Sequence, residues 1–261
     1  MSEFTTAAFF KNIGAPGTTP TALDMVPDGV LSRASDTGLY VPAGMELLGA
    51  FGISDVSAPA VSPRLRINAA SLLRVGYPYI RPLEKTIGVT NPNFQAVLDR
   101  PIRFPNNEVI GIDAVWEQGG GPAVDTYAVV FLRGQAAPLP KGDGFWVRGS
   151  GSLTPVAKRW SNLSNLVWEI AFSEGNYAVV GFEVIIPSAS GLAARLIFPG
   201  SPWRPGTISI ASTLSRTHAA FYEGHFGVFG QFASFAPPGI EVLCAAAVAT
   251  NVEINLRVVK L

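Results

Sequence analysis

Charge, cysteine and histidine are all scarce in this 261-residue chain, and each scarcity excludes something. Charged residues make up 15%, against about 25% in an ordinary soluble domain. Free soluble surfaces carry more charge than that, so much of this surface is expected to be covered by other subunits. Nineteen basic and nineteen acidic residues cancel, and no basic run is present. Direct nucleic-acid binding, which depends on Lys and Arg neutralising phosphates, is therefore not expected. The single cysteine, Cys244, cannot form an internal disulfide and lies in an apolar stretch from Ile240 to Ala245. It reads as a buried structural thiol. No run of 18 uncharged apolar residues exists, so no membrane-spanning helix is expected. The N-terminus shows no charged region followed by an apolar run, so the chain reads as made inside the cell without a secretory signal.

The motifs that carry chemistry are equally thin. The two histidines, His218 and His225, have only Glu223 between them, whereas a metal site takes three or four ligands. Glu108, Asp113, Glu183 and Glu241 fall in expected strands and would serve glycoside hydrolysis only if two of them met; solvated strand positions are the simpler reading. Either histidine could act as a base for a serine nucleophile, but no Gly-x-Ser-x-Gly elbow is present. The run Gly224 to Gly230 is glycine-rich without the lysine of a phosphate loop or a following helix, and reads as turn and close-packing glycines. Asn162-Leu163-Ser164 fits a glycosylation sequon, which has little meaning without a secretory route. Trp160, Trp168, Trp203, Tyr77, Tyr79 and Tyr222 could pack in a core, anchor subunit contacts or line a carbohydrate groove. No catalytic, metal or cofactor site is expected, and the chain does not read as an enzyme.

What is abundant is turn formers and apolar residues: 27 glycines and 21 prolines in a chain that is 48% hydrophobic. That mixture points to many short strands rather than helices. The strands recur at a long period. Gly44, Phe51, Ser57, Ala58, Arg64 and Leu65 return 131 residues later as Gly175, Phe182, Ser188, Ala189, Arg195 and Leu196. Phe104 and Ala114 match Phe235 and Ala245 at the same offset, and Val109 and Ile112 become Ile240 and Leu243. The end of each half agrees at an offset of 124, where Val130 and Leu132 match Ile254 and Leu256. The difference falls at Gly119-Gly120-Gly121-Pro122, where a turn lengthens cheaply. One asymmetry stands out: Arg66 on the outer face of the first copy faces Ile197 in the second, which suggests that this face of the second copy is covered. A repeat of this length sets the architecture before any motif does.

In the first copy, strands are expected near 36–42, 45–54, 62–68, 108–117 and 124–133, with residues 71–103 as loops and partner-contacting surface. In the second they are expected near 166–172, 176–187, 193–198, 206–211, 226–235, 239–248 and 251–260. The last has the cleanest alternation in the chain, Val252, Ile254, Leu256 and Val258 against Glu253, Asn255 and Arg257. Residues 1–30 read as an N-terminal arm, in which Ser2 to Thr6 cap a short helix through Ala7, Phe9 and Phe10 that ends near Gly14. Residues 135–160 read as a connector, with Phe145-Trp146-Val147 as an added strand. The expected fold is all-β, two tandem jelly-roll β-sandwiches at 31–134 and 161–261 preceded by a short arm.

A tandem pair of β-sandwiches with an N-terminal arm, neutral charge and no active site resembles the double jelly-roll major capsid proteins of tailless icosahedral viruses that contain a membrane. The resemblance rests on the 131-residue repeat and covers residues 29–261. It implies a structural virion protein whose trimers have a nearly hexagonal outline and tile an icosahedral shell. The implied partners are further copies of the chain, neighbouring capsomers, other capsid proteins such as those at vertices, and an underlying viral membrane. The implied location is the virion capsid, after synthesis in the host cytoplasm, and the arm would tie neighbours together or face the membrane. Other virion parts (decoration, spike-base or tail-associated proteins) and carbohydrate-binding β-sandwich modules are the alternatives.

Overall fold

A computed structural model describes residues 2–28, 31, 33–54, 64–70, 79–80, 82–83, 97–116, 119–120, 123–188, 190–209 and 226–261. Every element among them is a strand. Two compact units form, one from Ala7–Leu132 and the other from Met1–Thr6 together with Arg133–Leu261.

The Ala7–Leu132 unit is built from β1 (Phe4–Ile13), β2 (Thr21–Ala22), β3 (Asp24–Met25), β4 (Arg33–Ser35), β5 (Gly38–Val41) and β6 (Glu46–Ser54). It continues with β7 (Arg64–Asn68), β8 (Tyr79–Ile80), β9 (Pro82–Leu83), β10 (Val97–Arg103), β11 (Glu108–Val115) and β12 (Val124–Arg133). One sheet runs β10-β6-β12-β1-β3, with β9 beside β6; the other runs β4-β5-β11-β7-β8, with β2 on the β5 side of β11. Leu39, Leu47, Leu65, Ile67, Phe104, Ile110, Ile112 and Ala114 are among the residues that close its core.

The second unit uses β13 (Gly144–Leu153), β14 (Trp160–Asn162), β15 (Val167–Trp168), β16 (Asn176–Ile185) and β17 (Gly191–Ile197). Its remaining strands are β18 (Gly206–Ile208), β19 (Gly230–Ala233), β20 (Gly239–Cys244) and β21 (Thr250–Lys260). Its sheets run β15-β13-β21-β16-β19 and β14-β20-β17-β18. β21 shows why: Val252, Ile254, Leu256 and Val258 are buried, while Glu253, Asn255 and Arg257 alternate on the other face. The aromatic rings of Phe172, Tyr177 and Phe232 meet at one end of this sheet, with Tyr177 stacked on Phe232 at 5.4 Å between centroids.

Laid side by side, the two orders agree apart from β4 and β9, which have no counterpart in the second unit. β10-β6-β12-β1-β3 corresponds to β19-β16-β21-β13-β15, and β2/β5-β11-β7-β8 corresponds to β14-β20-β17-β18. In each unit the chain passes between the sheets so that early and late strands lie side by side, β1 beside β12 and β13 beside β21. Two interlocked Greek keys of this kind make a jelly roll. The expected all-β class of two tandem jelly rolls is what the chain adopts.

Three expectations need correction. The stretch read as a capped helix in an arm is β1, a ten-residue strand inside the first sheet. Its Phe-Thr-Thr-Ala-Ala-Phe-Phe run is buried on both faces from Phe4 to Phe9, so the alternation that marks a strand is missing. Short apolar runs are ambiguous by periodicity, and here the ladder with β12 decides. Residues 135–160 do not merely connect: Gly144–Leu153 is β13, paired along its whole length with β21. The rolls therefore begin at β1 and β13 rather than at 31 and 161. The sequence periods placed at 166–172 and 226–235 shrink to β15 and β19.

Candidate functional site

The most concentrated chemistry in each roll is an arginine facing a carboxylate across two central strands. In the first roll, Arg66 on β7 stands directly opposite Asp113 on β11, with Nη2 to Oδ2 at 2.8 Å. In the second, Arg195 on β17 stands opposite Glu241 on β20, with Nε to Oε2 at 2.6 Å. The two pairs hold the same place in the two strand orders. They differ in cover. The Arg66 side chain keeps 31% of its exposure, whereas that of Arg195 keeps 2% and lies 4.3 Å from the centroid of the Trp160 ring. Trp160 is carried there by β14, the strand that flanks β20. The stack is a cation–π contact in a desolvated place, where such contacts are strongest.

These pairs revise the residue-by-residue repeat. The offset of 131 sets Arg64 against Arg195, whereas the ladders set Arg66 against Arg195 and Asp113 against Glu241, offsets of 129 and 128. At 131, exposed Val109 would match buried Ile240; at 128, buried Ile112 takes that place. An odd shift moves every side chain of a strand to the opposite face. On β7 the shift is two residues, which keeps the face, so Arg66 answers Arg195 rather than Ile197 two positions along the same face. A covered outer face in the second roll is nevertheless present, at Arg195. Phe104 and Phe235 also part company: Phe104 is fully buried and Phe235 is 89% exposed at a turn. Gly44 and Gly175 do correspond. Both have left-handed φ values, 88° and 143°, directly ahead of β6 and β16, where a side chain would be strained. Ser57, Ala58 and Ala189 lie outside the described residues.

Of the carboxylates that could have supported hydrolysis, Asp113 and Glu241 are committed to guanidinium groups, and Glu183 accepts a 3.4 Å hydrogen bond from the Asn255 amide. Glu108 sits at the start of β11, half-buried. His218, His225, Glu223, Tyr77 and Tyr222 lie outside the described residues, as does the Tyr79 side chain. Among the described residues no three His, Cys, Asp or Glu side chains gather as metal ligands. Cys244 is fully buried. In the glycine run, Phe226, Val228 and Phe229 are buried, and a Cβ on Gly227 would stand 2.8 Å from the Ala137 carbonyl oxygen. Close packing accounts for that glycine. Asn162 of the sequon is exposed at the end of β14.

Trp160, Trp168 and Trp203 are all half-buried, so none is a free platform. The exposed tryptophan is Trp146, which the sequence placed in an added strand but not among the candidate surface aromatics. The signal was in the alternation of β13, where Trp146, Arg148, Ser150 and Ser152 all point outward. Beside it Arg148 bridges Glu253 at 2.6 Å and Glu169 at 3.0 Å. The hydrogen bond and charge of Glu253, aided by Glu169, hold the Arg148 guanidinium above its ordinary pKa.

Two jelly rolls of matching strand order in one chain define the class of protein, a double jelly-roll β protein. No family model matches the chain, and no curated protein sequence does. Among solved structures, the crystal structure of the major capsid protein P2 from bacteriophage PM2 is similar over 97% of this chain and 97% of that chain, at 10% identity and a TM-score of 0.27. A likeness at that level carries no argument; strand order and register define the fold.

Proposed function

We propose that this chain is a structural virion protein, the major capsid subunit of an icosahedral shell. The observation that carries the reading is the presence of two jelly rolls with matching strand order in one chain. Three such chains present six comparable rolls, so a closed trimer acquires a nearly hexagonal outline and can tile a surface. On this reading the two rolls descend from one by duplication. The low charge of 15% supports a molecule whose surface is largely covered by other copies. Interfaces of obligate kind would bury about 2,000 Å² or more each. Vertex proteins and an underlying viral membrane are the further partners, and the location is the virion capsid.

Negative-stain microscopy with sedimentation of the purified full-length chain tests this. Trimers with a six-cornered outline, or closed shells, are expected. A protein that stays monomeric under every condition and is a minor component of particles would overturn the reading. Glycan binding that disappears in Trp146→Ala would instead identify a carbohydrate-binding module.

A further inference from the structure

The outer face of one sheet in the second roll is open, polar and carries an exposed tryptophan. Along β13 the residues that point outward are Trp146, Arg148, Ser150 and Ser152, all exposed. Across the ladder with β21 they meet Arg257, Asn255, Glu253 and Asn251, and Glu183 on β16 stands opposite Asn255. At a strand rise of about 3.3 Å per residue, Trp146 to Ser152 spans about 20 Å. One end of the same face is closed. There Val259 and Ala178 are buried together with Val180 and Val228, and Ala137 packs against them. Val259 lies two residues from Arg257, the cross-strand partner of Trp146. The apolar cover stops short of Trp146, which stays 44% exposed.

The charges of this face are engaged with one another. Arg148 bridges Glu253 at 2.6 Å and Glu169 at 3.0 Å, and the Asn255 amide donates to Glu183 at 3.4 Å. Arg148 and Arg257 stand against Glu169, Glu183 and Glu253, so little net charge is left. Paired in this way, the side chains are held in place and still offer hydrogen bonds. The matching face of the first roll is closed: β1 and β12, which hold the places of β13 and β21, are buried on both faces over Ala7–Phe9 and Thr126–Leu132. The open polar face therefore belongs to the second roll rather than to the fold.

We propose that this face binds a neutral oligosaccharide, with a pyranose ring stacked on Trp146 and its hydroxyls bonded by Arg148, Asn255 and Glu253. Tryptophan offers a broad apolar surface with a polar edge, which takes up the C–H face of a sugar while the rest of the ring stays hydrogen-bonded. The planar amide, carboxylate and guanidinium groups beside it match pairs of adjacent hydroxyls, and a few placed polar groups of this kind orient a ligand. A protein partner would call for an apolar interface centre depleted in Glu and Ser, and this face sets one aromatic among paired ions that are costly to desolvate. A polyanion would meet more carboxylates than guanidinium groups. Each copy binds weakly, and an array of copies binds well because linked sites act together. The inference stands beside the capsid reading rather than on it: sugar binding by trimers or shells adds attachment to their role, and sugar binding by a chain that stays monomeric is the carbohydrate-binding module named above.

Titration calorimetry of the full-length protein with cellohexaose, chitohexaose, maltohexaose and a heparin hexasaccharide tests it. At least one of the three neutral chains is expected to bind, and heparin is not. Trp146→Ala should weaken that binding about tenfold or more, as truncating a central contact aromatic does, while Trp146→Tyr keeps most of it. Asn255→Ala should weaken it about threefold to tenfold, the effect of losing one hydrogen bond. The unfolding temperatures of these variants should match that of the parent. No binding of any neutral chain, equally tight binding of heparin, or unchanged affinity in Trp146→Ala overturns the proposal; if Trp146→Ala does not fold, unchanged affinity in Asn255→Ala does so. Loss of trimers or shells in a folded Trp146→Ala also overturns it, by making the face a contact between copies. Trimers or shells that bind no sugar sink this inference alone; sugar binding by a parent protein that forms neither sinks the capsid reading alone.

Discussion

Arg195 is a charge enclosed almost completely, and what encloses it sets the cost of losing it. Glu241 and the Trp160 ring are the partners that make burial tolerable. Removing the guanidinium leaves Glu241 facing a cavity beneath Trp160, and breaking a buried pair costs about 3–5 kcal/mol. Arg66 makes the equivalent bond in the first roll but with its side chain 31% exposed, where an ion pair is worth about 1 kcal/mol or less. Denaturant unfolding of Arg195→Ala and Arg66→Ala should therefore show a large loss for the first and a small one for the second; equal losses would mean that burial is not what distinguishes them. The pair of phenylalanines makes the same point without charge. Phe104→Ala should cost about 3–5 kcal/mol by opening a cavity, whereas Phe235→Ser at an exposed turn should stay within about 0.5 kcal/mol. Thermal unfolding of the two variants checks this.

Among the elements, β1 has the most to lose. It lies between β12 and β3 in the first sheet, and its first residues belong to the second unit. There the Glu3 N–H donates to the Gln135 carbonyl at 2.7 Å, the Gln135 N–H donates to the Glu3 carboxylate at 2.9 Å, and the Phe4 ring stands 4.8 Å from Phe229. A detachable arm could be cut away and leave folded trimers. A strand buried on both faces cannot. Deletion of residues 1–13 should abolish soluble folded protein, read as loss of the β signal in circular dichroism and of a cooperative unfolding transition; a folded product would restore the arm. The strand was hard to see because its apolar residues do not alternate, and because Ser2 ahead of Ala7 imitates a helix cap. By contrast β21, with one covered face, was legible residue by residue.

For the whole molecule, the balance of charge bears on assembly. Nineteen residues of each sign and a 15% charged fraction leave little for long-range ionic attachment between copies. If the proposed trimer forms, its contacts are chiefly apolar, and it should persist in about 1 M salt, where the screening length falls to about 3 Å. Mild denaturant should separate it. Sedimentation across a salt series distinguishes this from an ion-paired assembly, which would come apart in salt alone.

The amino-acid sequence by itself determined the all-β class: turn formers between short apolar runs, the glycines ahead of β6 and β16, and the alternation of β21 all depend on local backbone and side-chain chemistry. Tertiary structure decided the rest, and for one reason. Register and strand partnership are properties of pairs of segments distant in the chain, so no local pattern records them. Only the ladders could show that Arg195 answers Arg66 rather than Arg64, that β1 belongs in a sheet, and that β13 completes the second roll.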